Sequence, residues 1–375
     1  MDARLTEEQE FLRASAREVL ARECPSSLVR AMAADPLGCP DALWQRMGEL
    51  GWTGLAVPER LGGAGLGPCE LGVLLEEMGR VLLPGPFFSS AVLGSGALLL
   101  GGTDAQRGAL LPALARGRLR VTLAVLEEEE RWDADGVRLP ARRKGSDLVL
   151  TGTKRFVLDA RGADRLVVAA RGEEDGALRL LLVDPRAPGV RIEPVALVDA
   201  TRKAARVHLE GVAVAPDAVL DADAGTLERV LDRARVALCA EMLGSAARVL
   251  ETSAAYARQR EQFGRPIGSF QAIQHRLADM LVALEAARSA TGYAAWAIAT
   301  DEPDAALRAA MAKACTSEAC TRIAEGGIQI HGGQGFTWEQ DLHLHYRRAV
   351  VSARLFGDPT ACLEAVARHA IDGAA

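Results

Sequence analysis

An α+β architecture, with helices at both ends of the chain and strands between them, follows from three features of the 375-residue sequence. Apolar residues recur at three- and four-residue spacing up to about residue 118 and again from about residue 223. In between, the texture changes to short β-rich runs separated by Gly and Pro turns. No helical pattern of about 10–15 residues interrupts those runs, so they predict an antiparallel β-domain and exclude a βαβ unit. The expected organisation is a helical domain at 1–118, a β-domain at 119–222 and a helical bundle at 223–375.

The elements follow in order. Thr6 can cap a first helix whose opening turn carries Glu7 and Glu8, as the positive end of the helix dipole favours. Pro40-Asp41 opens another helix, with Leu43, Met47 and Leu50 on one face and Gly51 at its end. After the loop VPERLGGAGLG, a helix carries Leu71, Leu74, Leu75 and Met78. Strand-like runs lie at 148–150, 165–169, 178–183 and 205–209, with turns at Gly152-Thr153 and Pro188-Gly189. Residues 256–280, YARQREQFGRPIGSFQAIQHRLADM, read as a helix, a sharp turn at Gly264-Arg265-Pro266 and a second helix. The spacing of Ile267, Phe270, Ile273, Leu277 and Met280 predicts a buried face there.

Bulk composition narrows the class. Hydrophobic residues make up 49% and aromatics 4%, which fits an Ala- and Leu-rich, mainly helical enzyme. A net charge of −6 with no basic run argues against nucleic acid or an anionic membrane as partner. The seven cysteines show no CxxC spacing, so a reduced, cytoplasmic chain is expected. The opening MDARLTEEQEF is charged and amphipathic rather than signal-like, and the apolar run at 91–100 is too short to span a membrane.

Several segments carry chemistry. Arg260 and Phe263 end a helix where a cation and an aromatic can meet a flat, anionic ligand. In 329–336, QIHGGQGF, small residues let backbone approach a ligand closely, and exposed amides can face phosphate or ribose oxygens. The glycines at 62–67 lack a preceding strand and the G-x-G-x-x-G spacing, so a packed loop is expected there. Arg235 lies two turns before Gly244 on a long helix, and a surface role competes with a site role. His331 reads as a filler; His343 and His345 lack a third ligand for a metal. Lys154 and Arg202 are expected on β-domain turns, serving solvent or interdomain pairs, and the acidic run 127–130 as a solvated loop.

The wording of 256–280 and of Q-x-x-G-G-x-G at 329–335 closely resembles the acyl-CoA dehydrogenases, and the resemblance covers essentially the whole chain. It implies a helical N-terminal domain, a small antiparallel β-barrel and a C-terminal four-helix bundle. It also implies FAD as hydride acceptor and an acyl-CoA or related thioester as substrate. Homo- or hetero-oligomers are implied too, most often dimers of dimers. By this resemblance Arg260, Phe263, Gln271, Gln329, Gly332, Gly333 and Gly335 reach a neighbouring subunit's FAD, and Phe156 faces the flavin ring.

Departures from the family pattern are equally informative. The α,β-dehydrogenation needs a carboxylate to take the α-proton. The family places it in a Tyr-Glu-Gly-Thr context, which falls here on Leu355-Phe356-Gly357-Asp358, so the base position is Phe356. A second placement, beside the arginine matching Arg235, is Ala234. Glu241 falls on nearly the same helix face about 10 Å farther along and is the remaining candidate base, with Arg235 in the pocket. An interhelix partner role for Glu241 competes with that one, and Asp358 suits helix capping or cofactor contact. Where relatives carry Thr-Glu-Pro-x-x-Gly-Ser-Asp the chain has LAVLEE at 123–128, and their Trp-Ile-Thr is Phe156-Val157-Leu158. Three readings follow: a dehydrogenase subunit with a displaced base, a non-catalytic partner completing the FAD site of a base-containing paralogue, or a repurposed biosynthetic flavoenzyme acting on a non-CoA substrate. The wording also resembles actinobacterial members acting on steroid or branched acyl-CoA esters, several of which are α2β2 pairs.

Overall fold

A computed structural model describes residues 4–372. Its helices are α1 (Glu7–Glu23), α2 (Ser26–Ala34), α3 (Asp41–Glu49), α4 (Pro68–Arg80), α5 (Ser95–Gly101) and α6 (Asp104–Ala115), then α7 (Ala224–Gln259), α8 (Gln271–Ala299), α9 (Ala305–His331), α10 (Leu342–Arg354) and α11 (Pro359–Asp372). The strands β1 (Val121–Ala124), β2 (Pro140–Lys144), β3 (Asp147–Leu158), β4 (Arg165–Gly172), β5 (Leu178–Val183), β6 (Val190–Val195) and β7 (Ala204–Val214) lie between α6 and α7. The ribbon β8 (Glu261–Gln262) and β9 (Arg265–Pro266) joins α7 to α8. The α, β, α order is the expected one.

Local chemistry sets the boundaries. Thr6 caps α1 in a reciprocal box with Gln9, and Thr103 caps α6 the same way with Gln106, each satisfying two end donors that would otherwise lack partners. Residues Phe88–Gly94 form a fully buried π-helical stretch, held to β1 where Ser90 Oγ accepts the Val121 amide at 2.9 Å. The glycine loop after α3 folds on itself. The Ala64, Gly65 and Leu66 amides return to the carbonyls of Gly54, Val57 and Leu55, and a Cβ on Gly63 would lie 2.1 Å from the Val57 carbonyl. Its donors are spent internally, as expected of a packed loop.

The sheet corrects one expectation. It has seven strands in the order β1-β4-β2-β3-β7-β6, with β5 on β4, and its pairing is mixed. β1 and β2 run parallel to β4, whereas β2–β3, β3–β7, β4–β5 and β6–β7 are antiparallel. The β2–β3 hairpin lies between β1 and β4 in the chain, so β1 meets β4 pointing the same way, a pairing that strand spacing alone does not reveal. One face buries Leu150, Val157, Leu166, Val168, Leu181, Val207 and Leu209.

Packing divides the chain into two discontinuous compact units. Among the described residues, one comprises those up to Arg30, Pro68–Leu83 and those from Arg235 on; the other comprises Ala31–Gly67 and Pro84–Ala234. In the first, α4 and α7 cross at backbone contact. A Cβ on Gly79 would lie 1.8 Å from the Glu241 carbonyl oxygen, and one on Gly244 would lie 1.7 Å from that of Glu76. Only glycine permits this approach. No helix among the described residues is long and apolar enough to cross a membrane.

Candidate functional site

In the first unit, an exposed region forms where α7 and α9 end. α7 stops at Gln259, and the Arg260 carbonyl accepts the Ile267 amide at 2.8 Å, closing the short ribbon. The ribbon turns through Phe263 and Gly264, at φ +56° and +75°. The Phe263 ring is 92% exposed and meets Phe270 edge-on at 6.1 Å. Arg260 and Gln271 are exposed, and Gln329 is exposed near the end of α9. The turn Gly332–Phe336 then opens with Gly332 at φ +59°. Around Gly332 and Gly333 a built Cβ meets nothing within 4 Å, whereas at Gly335 it would lie 2.7 Å from the Ile328 carbonyl. Tyr256 joins the two segments: its hydroxyl donates to Gln334 Oε1 at 3.0 Å and its ring stacks on His331 at 4.2 Å. His331 donates from Nδ1 to the Gly327 carbonyl at 2.8 Å, and burial lowers its pKa. The ring is thus a stacking and anchoring group.

The turn at Phe356, in the same unit, is the opposite kind of place. After α10, Phe356 takes φ +59° and Gly357 φ +109°, and Phe356 is 1% exposed. Two cations hold this turn by its carbonyls. Arg235 Nε donates to Phe356 O at 2.8 Å, and Lys313 Nζ donates to Ala353 O at 2.8 Å and to Ser317 Oγ at 2.9 Å. Lys313 is fully buried, and desolvation lowers its pKa. Asp358 caps α11 by accepting the Ala361 amide at 2.8 Å.

Glu241 lies in α7 as expected, but Arg348 Nη1 of α10 donates to its Oε1 at 2.6 Å, with the two side chains 3% and 9% exposed. A carboxylate bonded to a guanidinium is stabilised as the anion and is a weak proton acceptor. Nearby, Ser245 Oγ and His345 Nδ1 lie 2.8 Å apart, and burial pushes the imidazole down to about 3. His343 stacks on Trp338 at 4.8 Å.

In the second unit, Phe156 stands at φ +50°, where the β3–β7 register shifts between Lys154 and Val157, and is half-buried. The reading of Lys154 as a solvent-facing turn residue is corrected: it is fully buried within β3. Its Nζ donates to Glu127 Oε1 at 2.5 Å and to Val125 O at 2.9 Å. Desolvation lowers its pKa to about 8 against the pull of Glu127. Glu127 also accepts the Arg138 and Leu139 amides, so it is a structural anchor and only Glu128 to Glu130 are exposed. Arg202 lies 5.5 Å over the Phe88 ring, a packing role.

Sequence reasoning missed Arg348, Lys313 and the Lys154–Glu127 pair. Lys313 carried a signal: it stands alone among alanines in AALRAAMAKAC, on what reads as an apolar face. The Arg348–Glu241 pair spans 107 positions and had none.

The helical ends, the mixed sheet and the glycine turn beside an exposed arginine–phenylalanine ribbon define an acyl-CoA dehydrogenase fold, and the chain belongs to that family. Its three parts match the family's N-terminal domain at residues 6–118, middle domain at 122–212 and C-terminal domain at 225–371. It is 33% identical over 355 residues to the acyl-CoA dehydrogenase IpdE2 of Mycobacterium tuberculosis, covering 94% of each chain. Among solved structures it resembles a chain of the Tcur3481–Tcur3483 steroid ACAD, with 32% identity, a TM-score of 0.89 and 98% and 99% of the two chains covered. It also resembles a chain of the ChsE4–ChsE5 complex from Mycobacterium tuberculosis, with 28% identity, a TM-score of 0.91 and 99% of each chain covered.

Proposed function

We propose that this chain is one subunit of a heteromeric acyl-CoA dehydrogenase and completes the FAD site of a partner that carries the catalytic carboxylate. The observation that carries this reading is the state of the base positions. Phe356 is buried and has no titratable group, Ala234 has none, and Glu241 is held by Arg348 at 2.6 Å. A proton abstraction requires a free carboxylate within hydrogen-bond reach of the substrate carbon.

The residues at the exposed end suit the cofactor's adenosine half. Open backbone at Gly332 and Gly333 leaves room for close approach, exposed Gln329 and Gln271 offer amides, and Arg260 offers a cation for the pyrophosphate. Phe263 offers an uncovered aromatic face. FAD, when bound, accepts the hydride from the β-carbon of the acyl thioester. This chain's part is to bind and orient through those residues; the α-proton goes to the partner's carboxylate. Arg235 and Lys313 hold the turn at 353–356 and move no proton. The likeness to a steroid ACAD supports a bulky, polycyclic acyl group on the CoA thioester.

The test is to purify the chain alone and with a co-expressed family member that has Glu at the place of Phe356, then measure bound flavin and its bleaching by acyl-CoA without oxygen. Flavin and bleaching should require both chains. Bleaching by this chain alone, abolished by Glu241→Gln, would establish a displaced base and overturn the reading.

A further inference from the structure

Between the ends of α1, α2, α4, α7 and α10, wholly within the first unit, lies a cavity of about 480 Å³ that the proposed reaction does not use. Its size is that of a small-molecule site, and buried Leu20, Val29, Leu82, Leu342 and Leu344 give it apolar walls. The polar groups around it fall into two sets. One set is committed: Arg17 donates to Glu77 at 2.7 Å, Arg80 to Glu251 at 3.0 Å and Arg30 to Asp341 at 2.6 Å. The other set is not. Arg248 and Thr252, four residues apart and so on one face of α7, both line the cavity. Arg248 feels Glu251 through space, but among the described residues neither its guanidinium nor the Thr252 hydroxyl has a hydrogen-bond partner. Buried His345 lines the cavity as well. Its Nδ1 lies 2.8 Å from Ser245 Oγ, and its Nε2 has no partner among the described residues.

We propose that this cavity is a second ligand site, and that it takes a free carboxylic acid with a compact hydrocarbon body. The carboxylate meets the Arg248 guanidinium and the Thr252 hydroxyl, and the body lies against the leucines and Val29. His345 Nε2 remains for an oxygen on that body, since a buried neutral imidazole offers one further uncharged hydrogen bond. Charge selects this occupant. A cationic ligand would find no free acid inside, because Glu77 and Asp341 are committed and Glu339 is exposed. The acyl end of a thioester carries no charge for Arg248, so the site separates a free acid from its CoA ester. Occupancy also reaches the core. Glu241 and Ser245 lie one turn apart on α7, as Arg348 and His345 do on α10, so the two hydrogen-bonded pairs are neighbouring rungs between these helices. A ligand bonded to His345 braces that contact.

The experiment titrates the purified full chain with octanoate and with octanamide, its uncharged isostere, by calorimetry, and follows the melting temperature as each is added. Octanoate should bind one saturable site per chain and raise the melting temperature with concentration, and octanamide should bind about tenfold more weakly or worse. Arg248→Gln, at an exposed position, should melt as the parent does without ligand. It should lower octanoate affinity by about tenfold or more and leave octanamide unchanged. Ala21→Trp, at an exposed position of α1 on the cavity wall, should block both probes; should that variant fail to fold, Thr252→Trp closes the same cavity from α7. Absence of saturable octanoate binding overturns the proposal. Equal affinity for the two probes overturns it too, because the site would then read no charge. So does octanoate binding that survives both Arg248→Gln and the cavity-filling variant, which would place the probe elsewhere on the chain. None of these readouts involves flavin or a second chain, so the functional reading above stands or falls separately.

Discussion

The exposed end of α7 and α9 and the closed turn after α10 belong to one compact unit, but they are built on opposite principles. At the exposed end, Arg260, Phe263, Gln329 and the 332–333 backbone are displayed, and the internal bonds there are few and serve to shape the turn. At the closed turn the buried cations are engaged: Arg348 with Glu241, Lys313 with Ala353, Arg235 with Phe356. The contrast teaches that the proposed cofactor contacts and the proposed proton abstraction make separate demands on a chain. One needs surface and permissive backbone; the other needs a free carboxylate in a pocket, and the proposed reading places the phenyl ring of Phe356 where the family's carboxylate would stand.

The comparison is broken most severely at the buried ion pair. Arg348→Met should cost about 3–5 kcal/mol by leaving Glu241 buried and unpaired, whereas the double variant with Glu241→Leu should recover most of that loss. Urea unfolding of the three variants measures this, and equal losses in single and double variants would deny the pair its structural role. Next comes the helix crossing. Gly244→Ala drives a methyl into the Glu76 carbonyl and should cost about 1–3 kcal/mol or more. Gly333→Ala, with open space around it, should stay within about 0.5 kcal/mol.

A smaller effect is pH-linked and lies in the second unit. The folded Lys154 titrates near 8, below the 10.5 of an ordinary lysine. Between those values the unfolded chain holds a proton that the folded chain has released, so stability should rise with pH across that window. Lys154→Met should flatten this slope, which denaturation curves on either side of the window detect. The smallest expected effect on stability is at the exposed end. Arg260→Ala and Phe263→Ala should each shift unfolding by no more than about 0.5 kcal/mol while lowering flavin retention by the assembled pair.

Most of the helical framework was legible because amphipathic spacing and caps such as Thr6 are local signals. The mixed pairing was not, because β1 is four residues long and its parallel partner comes after a hairpin. Nor were the discontinuous units, which arise from contacts between distant segments. At the candidate site, motif position singled out the glycine turn and Phe356, and the structure puts the first at an exposed helix end and the second in the core. The engagement of Glu241 could not be read, because its partner Arg348 lies 107 positions away on another helix. Lys154 was misread for a related reason: a lysine in a strand resembles a surface residue until its carboxylate partner is known.

Phe156, Phe263 and Phe356 all stand in left-handed backbone, a region that bulky side chains enter at a cost of about 1–3 kcal/mol. For Phe356 the surrounding core supplies the compensation. Phe263 has no such core: its torsion and its 92% exposure both run against its chemistry. In landscape terms it is a locally frustrated residue. Phe263→Gly should therefore make the lone chain slightly more stable and the assembled one less so, a reversal of sign between the two states. Frustration of this kind is a stored preference for company, written into a single backbone angle.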